Sequence, residues 1–557
     1  MPEQLSVNDP DWWRHAVVYQ IYPRSFLDSN GDGIGDLAGI AYRLDYVADL
    51  GADAIWVSPF FVSPMEDFGY DVADYCDVDP IFGNLADCDA LIAAAHERGL
   101  RVIIDLVLSH SSNRHPWFRE SRSSRDNPRA DWYVWADPRP DGTPPNNWLS
   151  IFGGPAWEWD SRRRQYYLHN FLAAQPDLNF HNPQVRQAAL DVARFWLDRG
   201  VDGFRLDVVN FYFHDAELRD NPPLSQDRGV AGLTRTNPYA YQDHVYSKTR
   251  PENLAFLESL RALTDTYPGA AMFGEIGPDR DVMATTAAYT ESGKRLHMAY
   301  SFELLSAPFT ARAIRRVVEE VGDAIGSGWP CWSLANHDVV RSVTRLGLEA
   351  DPDAGAALVT ALVASLGGGS CLYQGEELGL SEAVIAPEDM QDPYGIRFWP
   401  DQPGRDGCRT PMPWQAGAPQ AGFSAGTPWL PIPPEHQARA ADQQALDPDS
   451  GQARVRRFLH WRRGEAAMRE GRLRFLDAPE PVLAFLREKG GERILCLFNL
   501  SADEQRLIPD MVAGKRLDGF GEPVALRGFE AQPLPDGGIT LPPFGIALYR
   551  APGLVPE

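Results

Sequence analysis

Arg205 and Asp207 place a cation two residues from an anion within one short apolar run, Gly200-Val201-Asp202-Gly203-Phe204-Arg205-Leu206-Asp207. In an extended chain Phe204 and Leu206 face one way, and Arg205 and Asp207 the other. On a buried strand such a pair is either a salt bridge that satisfies itself or a carboxylate kept ionised for chemistry by its neighbour. This segment alone leaves both open. Other carboxylates stand at the ends of other apolar runs. Asp105 stands toward the end of Val102–Val107, with His110 just beyond the run; Glu275 ends Ala271–Glu275; Asn336-His337-Asp338 follow Cys331–Leu334. A second kind of chemistry is signalled near the N-terminus by Asp28, Asn30, Asp32, the Ile34 carbonyl and Asp36. Oxygen donors at alternate positions, with Gly31 and Gly33 for the bend, suit a hard divalent cation. An EF-hand would also need a bidentate Glu at its twelfth position, where this chain has Gly39, so the expectation is a related calcium- or magnesium-type structural loop. The other reading is an acidic turn without metal.

The elements that must position these groups follow from the periodicity. Val17–Pro23, Ala54–Ser58, Val102–Val107, Gly203–Asp207, Ala271–Glu275, Met298–Ser301, Cys331–Leu334 and Cys371–Tyr373 read as strands. Helical stretches separate them, such as Leu85 to Gly99. Another follows the Asn182-Pro183 cap, with Val185, Ala189, Val192 and Trp196 on one face. Strand and helix in alternation imply parallel strands with crossover helices, and eight of them predict a (β/α)8 barrel. In such a barrel the C-terminal ends of the strands form the catalytic face, so Asp207, Glu275 and Asp338 should converge on one mouth. Each alone has a bland explanation as a helix cap or loop salt bridge; all at one end of successive strands does not.

The rhythm breaks over 111–177, rich in Pro, Asn, Gly and Trp and too long for a plain loop. The expected organisation is a barrel over 1–110 and 178–478, an inserted domain over 111–177, and an all-β C-terminal sandwich over 479–557. A net charge of −25 argues against nucleic acid or an anionic membrane as partner. Six cysteines without CxxC spacing read as free, mostly buried thiols in a reducing compartment. Met1-Pro2-Glu3-Gln4 lacks the basic start and apolar run of a signal peptide, and no apolar stretch is long enough to span a membrane. A cytoplasmic protein, monomeric or homodimeric, is expected. The many Trp and Tyr are either core or stacking surfaces for sugar rings, core being the default.

Four motifs together resemble glycoside hydrolase family 13, the α-amylase family. They are Asp105-Leu106-Val107-Leu108-Ser109-His110, Gly203-Phe204-Arg205-Leu206-Asp207, Gly274-Glu275 and Asn336-His337-Asp338. Gln175-Pro176-Asp177-Leu178-Asn179, Tyr373-Gln374-Gly375-Glu376-Glu377 and Arg409-Thr410-Pro411-Met412-Pro413-Trp414 are similar to its oligo-1,6-glucosidase and α-glucosidase branch. The resemblance implies Asp207 as nucleophile, Glu275 as general acid/base and Asp338 as transition-state stabiliser. A retaining glycosidase needs one ionised carboxylate and one protonated carboxyl, roughly 5–5.5 Å apart. On this reading Arg205 should hold Asp207 ionised, while Glu275 has fewer cationic neighbours in sequence, as suits an acid. His110 and His337 would donate hydrogen bonds to sugar hydroxyls. Asp67-Phe68-Gly69-Tyr70-Asp71 resembles the stretch that binds the non-reducing glucose. There Asp67 would pair with Arg405 to close the pocket, and Tyr70 would stack on the ring.

What the resemblance implies is a retaining exo-α-glucosidase acting on disaccharides and short α-glucosides, with transglucosylation in reach and no organic cofactor. The alternative keeps the glucosyl-enzyme but sends it to another acceptor, as in sucrose-using transferases or trehalose synthase. A non-catalytic relative, such as the transporter-associated heavy chains, would have lost carboxylates that are present here. Two departures stand out. Ser109 replaces the usual Asn that is a calcium ligand in α-amylases, which turns the metal expectation to the Asp28–Asp36 loop. Leu366-Gly367-Gly368-Gly369-Ser370 replaces a Pro-Gly turn. Val208, after the nucleophile, leans toward α-1,6 or mixed specificity, but one apolar contact is worth only about 1–3 kcal/mol.

Overall fold

The computed structural model describes residues 9–225, 236–508, 511–512 and 521–551. Met1 to Gln4, read above for a leader, lie outside the described residues. Eight parallel strands form the barrel: Val17–Ile21, Ala54–Val57, Arg101–Leu106, Gly203–Leu206, Ala271–Ile276, Met298–Ser301, Cys331–Ser333 and Gly369–Tyr373. Numbered in that order, they run 6-5-4-3-2-1-8-7, and a parallel bridge between Ala299 and Pro330 closes the ring between the sixth and seventh. Both faces of these strands are buried, which is why they read as near-continuous apolar runs. Phe204 and Leu206 point outward into the helix-covered core, with Val102, Ile104 and Met272. Trp56, Ile103, Phe273 and Tyr300 fill the interior.

The outer helices form where the sequence caps them. Asn182 accepts from the Gln184 amide at the start of the helix Pro183–Asp198, and Val185, Ala189, Val192 and Trp196 are its buried face. Trp196 is fully buried and stacks on Phe61 at 5.0 Å; burying a side chain of this size contributes on the order of 2–3 kcal/mol.

The chain leaves the third strand at His110 and returns beside itself, since His110 bridges to Asp177 and Tyr133 to Leu178. Between these points Trp135–Ala136, Gln165–Leu168 and Trp157–Asp160 make a three-stranded antiparallel sheet. Its aromatics pack on one another: Phe118 stacks on Trp135 at 5.6 Å and meets Tyr133 and Tyr167 edge-on. Here Tyr133 and Tyr167 are core, while Trp159 on the same sheet is exposed.

After the helix Gly451–Arg463 a five-stranded antiparallel sheet begins, with a three-stranded sheet beside it. Its first strand is Arg472–Leu476, ahead of the expected start at 479. Leu473 and Phe475 alternate with exposed Arg472 and Arg474, a two-residue period that a short edge strand carries only weakly. Among the described residues no helix is long and apolar enough to cross a membrane. All six cysteines are free.

Candidate active site

The barrel ladder sets the reacting groups side by side. Arg205 is level with Asp105 on the third strand and with Phe273 on the fifth, and Leu206 is level with Gly274. Asp207 and Glu275 therefore come next to each other just past the last residues that pair the fourth strand with the fifth, while Glu275 still pairs with Tyr300 on the sixth. Close approach of the fourth and fifth strands requires Gly203, where a Cβ would sit 1.8 Å from the Ala271 carbonyl oxygen. Beyond Asp207 the chain turns sharply: Val208 has φ 33°, in the left-handed region that β-branched residues rarely adopt.

Arg205 is wholly buried and serves three carboxylates. Its Nη1 lies 2.7 Å from Asp105 Oδ1 and 2.6 Å from Asp207 Oδ1, and its Nη2 contacts Glu275 Oε2. Nη2 also donates to the Tyr300 hydroxyl at 3.0 Å, and the guanidinium lies 5.0 Å from the Trp56 ring centre. This corrects two expectations. Glu275 does not lack a cationic neighbour, because the arginine side chain is long enough to reach the next strand. Arg205 also does not keep Asp207 in the ordinary range. Burial pushes the Asp207 carboxyl up, and the nearby charges of Asp105 and Asp338 add to it, outweighing an arginine shared three ways.

Asp338 behaves oppositely. Burial raises it, but His337, Arg405 and Arg409 together win and hold its carboxyl well below the usual range. Arg409 Nη2 is 2.7 Å and Arg405 Nη1 3.3 Å from Asp338 Oδ1. Two carboxylates of one cavity are thus driven apart in acidity, Asp207 up and Asp338 down. We expect the acidic limb of kcat/KM, which reports the free enzyme, to lie above the ordinary Asp value of about 3.9. The ionised Asp207 is the reactive form, so activity falls as pH drops through this raised value. A limb at or below the ordinary value would contradict the burial argument.

One cavity at the C-terminal mouth of the barrel is lined by Asp67, Tyr70, His110, Gln175, Asp207, Glu275, Asp338 and Arg405. Arg405 Nη2 lies 2.8 Å from Asp67 Oδ1 and 2.7 Å from Asp392 Oδ1. The Gln175 amide donates to Asp67 Oδ2 at 3.1 Å. Tyr70 stacks on His337 at 5.4 Å, with planes 6° apart, and its hydroxyl donates to Asp105 at 3.0 Å.

His337 does not reach the cavity surface. It is fully buried, with Nδ1 2.7 Å from the Gln20 amide and Nε2 2.6 Å from the Tyr70 hydroxyl. His110 lines the cavity, but its Nε2 is 2.9 Å from the Tyr70 carbonyl and its Nδ1 2.8 Å from Ser109 Oγ. Burial lowers both rings, His110 to about 4 and His337 to about 3, so each is neutral near pH 7 and has one N–H. Both rings meet hydrogen-bond partners within the protein. The two histidines hold Tyr70 from either side.

The sequence reading named Val208 but missed the rest of the apolar wall and the second partner of Arg405. Ile151, Phe152 and Phe171 come from the inserted segment, Val208, Pro278 and Phe302 from strand ends, and Tyr394 from the segment after the eighth strand. Asp392, wholly buried, accepts from the Arg405 amide at 2.7 Å and orients its guanidinium. Nothing in the periodicity of 389–443 marks these residues; an Asp before a Pro-initiated helix, Asp392-Pro393, was the available signal.

The Asp28–Asp36 loop lies apart from this cavity. Asp28 accepts from the amides of Asn30, Gly31 and Gly33 at 2.7 to 3.0 Å, Asn30 from that of Asp32, and Asp32 from that of Ile34. Asp36 caps the following helix by accepting from the Gly39 amide. Burial raises Asp28, but Ser424 and the loop amides outweigh it and leave its carboxyl below the usual range. Among the described residues no group of three His, Cys, Asp or Glu side chains is close enough to hold an ion. Any cation here would need the Asn30 and Ile34 oxygens as well, donors that suit calcium or magnesium.

Comparisons with known proteins agree with this geometry. The family model for the alpha amylase catalytic domain matches residues 20–471. A probable alpha-glucosidase of Rhizobium meliloti (strain 1021) is 56% identical over 546 residues, covering 97% of each chain. An oligo-1,6-glucosidase of Heyndrickxia coagulans is 37% identical, over 88% of this chain and 92% of its own. The crystal structure of the alpha-glucosyl transfer enzyme XgtA superposes with a TM-score of 0.93 at 58% identity, over 97% of this chain and 99% of that one. With its eight-stranded barrel, its carboxylates at the strand ends and these relatives, the chain belongs to the α-amylase family of glycoside hydrolases, in the branch of the α-glucosidases and oligo-1,6-glucosidases.

Proposed function

We propose that the protein is a retaining, exo-acting α-glucosidase that removes glucose from the non-reducing end of disaccharides and short α-glucosides. The observation that carries this reading is that Asp207 and Glu275, from adjacent strands, share one guanidinium and line one cavity. Asp207 attacks the anomeric carbon as the bond to the leaving oxygen breaks, and Glu275 gives that oxygen its proton. Glu275, now a carboxylate, takes a proton from the acceptor hydroxyl, whose oxygen displaces Asp207 and retains configuration. Asp338, strongly anionic, stabilises the positive charge that develops on the sugar. The Asp67–Arg405 pair supports a pocket closed at the glucose end, hence exo action.

A second reading, transfer of glucose to an acceptor other than water, is favoured by the apolar lining at Ile151, Phe152, Phe171 and Tyr394. It is also in keeping with the likeness to a glucosyl transfer enzyme. The test is product analysis by chromatography with maltose, isomaltose, sucrose and trehalose, with NMR of the first-formed anomer. Retained α-glucose released singly from the non-reducing end is expected. Initial β-glucose, or release of internal fragments, would overturn the reading, and glucosides longer than the substrate would mark transfer.

We also propose that the Asp28–Asp36 loop holds one structural divalent cation, calcium or magnesium. Chelation followed by dialysis should lower the thermal midpoint, and either ion should restore it. An unchanged midpoint in protein shown by metal analysis to be ion-free would overturn this.

A further inference from the structure

The retaining mechanism needs its two carboxyl groups at a fixed separation, yet the ladder between the fourth and fifth strands stops one residue short of both, Glu275 being paired only on its other side, with Tyr300 of the sixth strand. The last residues paired between the fourth and fifth strands are Leu206 and Gly274. Past that level Asp207 leads into Val208 and the tight turn Val209–Phe211, and Glu275 leads into Ile276 and Gly277. One side chain spans the two segments. The Asn210 carboxamide accepts from the Gly277 amide at 2.9 Å and donates to the Gly277 carbonyl at 3.3 Å. It offers Gly277 what a facing strand residue would offer, one acceptor and one donor.

The carboxamide is itself fixed. Asn210 is wholly buried; its side-chain nitrogen also donates to Thr249 Oγ1 at 3.1 Å, and its backbone carbonyl accepts from the Thr249 amide at 2.7 Å. Thr249 holds φ 53°, a strained value for a β-branched residue. The close fit requires a glycine at 277, where a Cβ would lie 2.8 Å from Phe211 and 3.2 Å from Asn210 Oδ1. Asn210 does not line the cavity.

We infer that Asn210 is a positioning residue that continues the ladder by its side chain and thereby sets Glu275 against Asp207. The inference rests on the assignment of Glu275 as general acid. Its role is to place the acid, so losing it should hurt most where the leaving group needs a proton.

The test compares kcat/KM for maltose and for 4-nitrophenyl α-glucoside, whose phenolate leaves with little protonation, in wild type, N210A, G277A and E275Q. G277A presses on the same contact from the other side, so either variant decides the matter if the other does not fold. For N210A we expect maltose to lose roughly 100-fold, the scale of an ångström-sized misplacement. The aryl glucoside should lose less than about 10-fold, because general-acid help, worth about 10²–10⁴, is little used there. Equal losses on both substrates, or no loss, would overturn the proposal. If E275Q itself shows no leaving-group dependence, the acid assignment fails instead.

Discussion

Asp207→Asn should fold like the wild type and lose at least about 10⁴-fold in kcat on any glucoside, the scale of removing a covalent nucleophile. The amide keeps the size of the carboxylate and can still meet Arg205, from which Asp207 Oδ1 is 2.6 Å away. What it loses is the anion that forms the glucosyl-enzyme. Because the wild-type carboxyl is already pushed up by burial, the neutral amide imposes little new electrostatic cost, and the thermal midpoint should stay close to that of the wild type. A smaller side chain makes the roles separable. In Asp207→Gly, added azide should attack from the vacated face and give the β-glucosyl azide, whereas loss of Glu275 should give the α-azide through the intact intermediate. Near-wild-type turnover in Asp207→Asn would sink the nucleophile assignment.

Arg205→Met should abolish activity and also destabilise the fold. The substitution keeps much of the length but leaves Asp105, Asp207 and Glu275 facing one another without the cation they share. Breaking a buried ion pair by removing one partner costs about 3–5 kcal/mol, which in a chain of this size lowers the thermal midpoint by something on the order of 5 °C. The pH dependence has a definite sign. Asp105 and Asp207 are already raised by burial, and without Arg205 they rise further. A carboxyl with a raised folded value favours the fold below its unfolded value, where it is protonated, and that contribution is lost as pH rises through the folded value. The gap between wild type and variant should therefore be wide at pH 8 and narrow toward pH 5. A variant as stable as wild type at pH 8 would show that the three carboxylates do not depend on this arginine.

Much of the site could be read from residue order because the barrel makes sequence position into spatial position. A polar residue at the C-terminal end of a buried strand has one place to go, the mouth, and Asp207 and Glu275 each end an apolar run while Asp338 stands four residues past one. The Asp67 and Arg405 pairing was named only through a family likeness, since 338 residues separate them. Asp392 and Tyr394 lay in a stretch without periodicity and gave no comparable signal.

What the sequence determined by itself, then, was the set of chemical groups and the barrel that gathers them. Alternation of apolar strands and capped helices is a local property, and local rules reach as far as the strand ends. Tertiary structure alone decided the charge states. Whether Arg205 ionises Asp207 depends on how many anions share it, and the count is three only because strand register puts Asp105 and Glu275 within its reach. Asp338 titrates low rather than high because Arg405 and Arg409, about 70 residues on in the chain, fold back onto it. Electrostatic work sums over distance in space, and no spacing along the chain contains that sum.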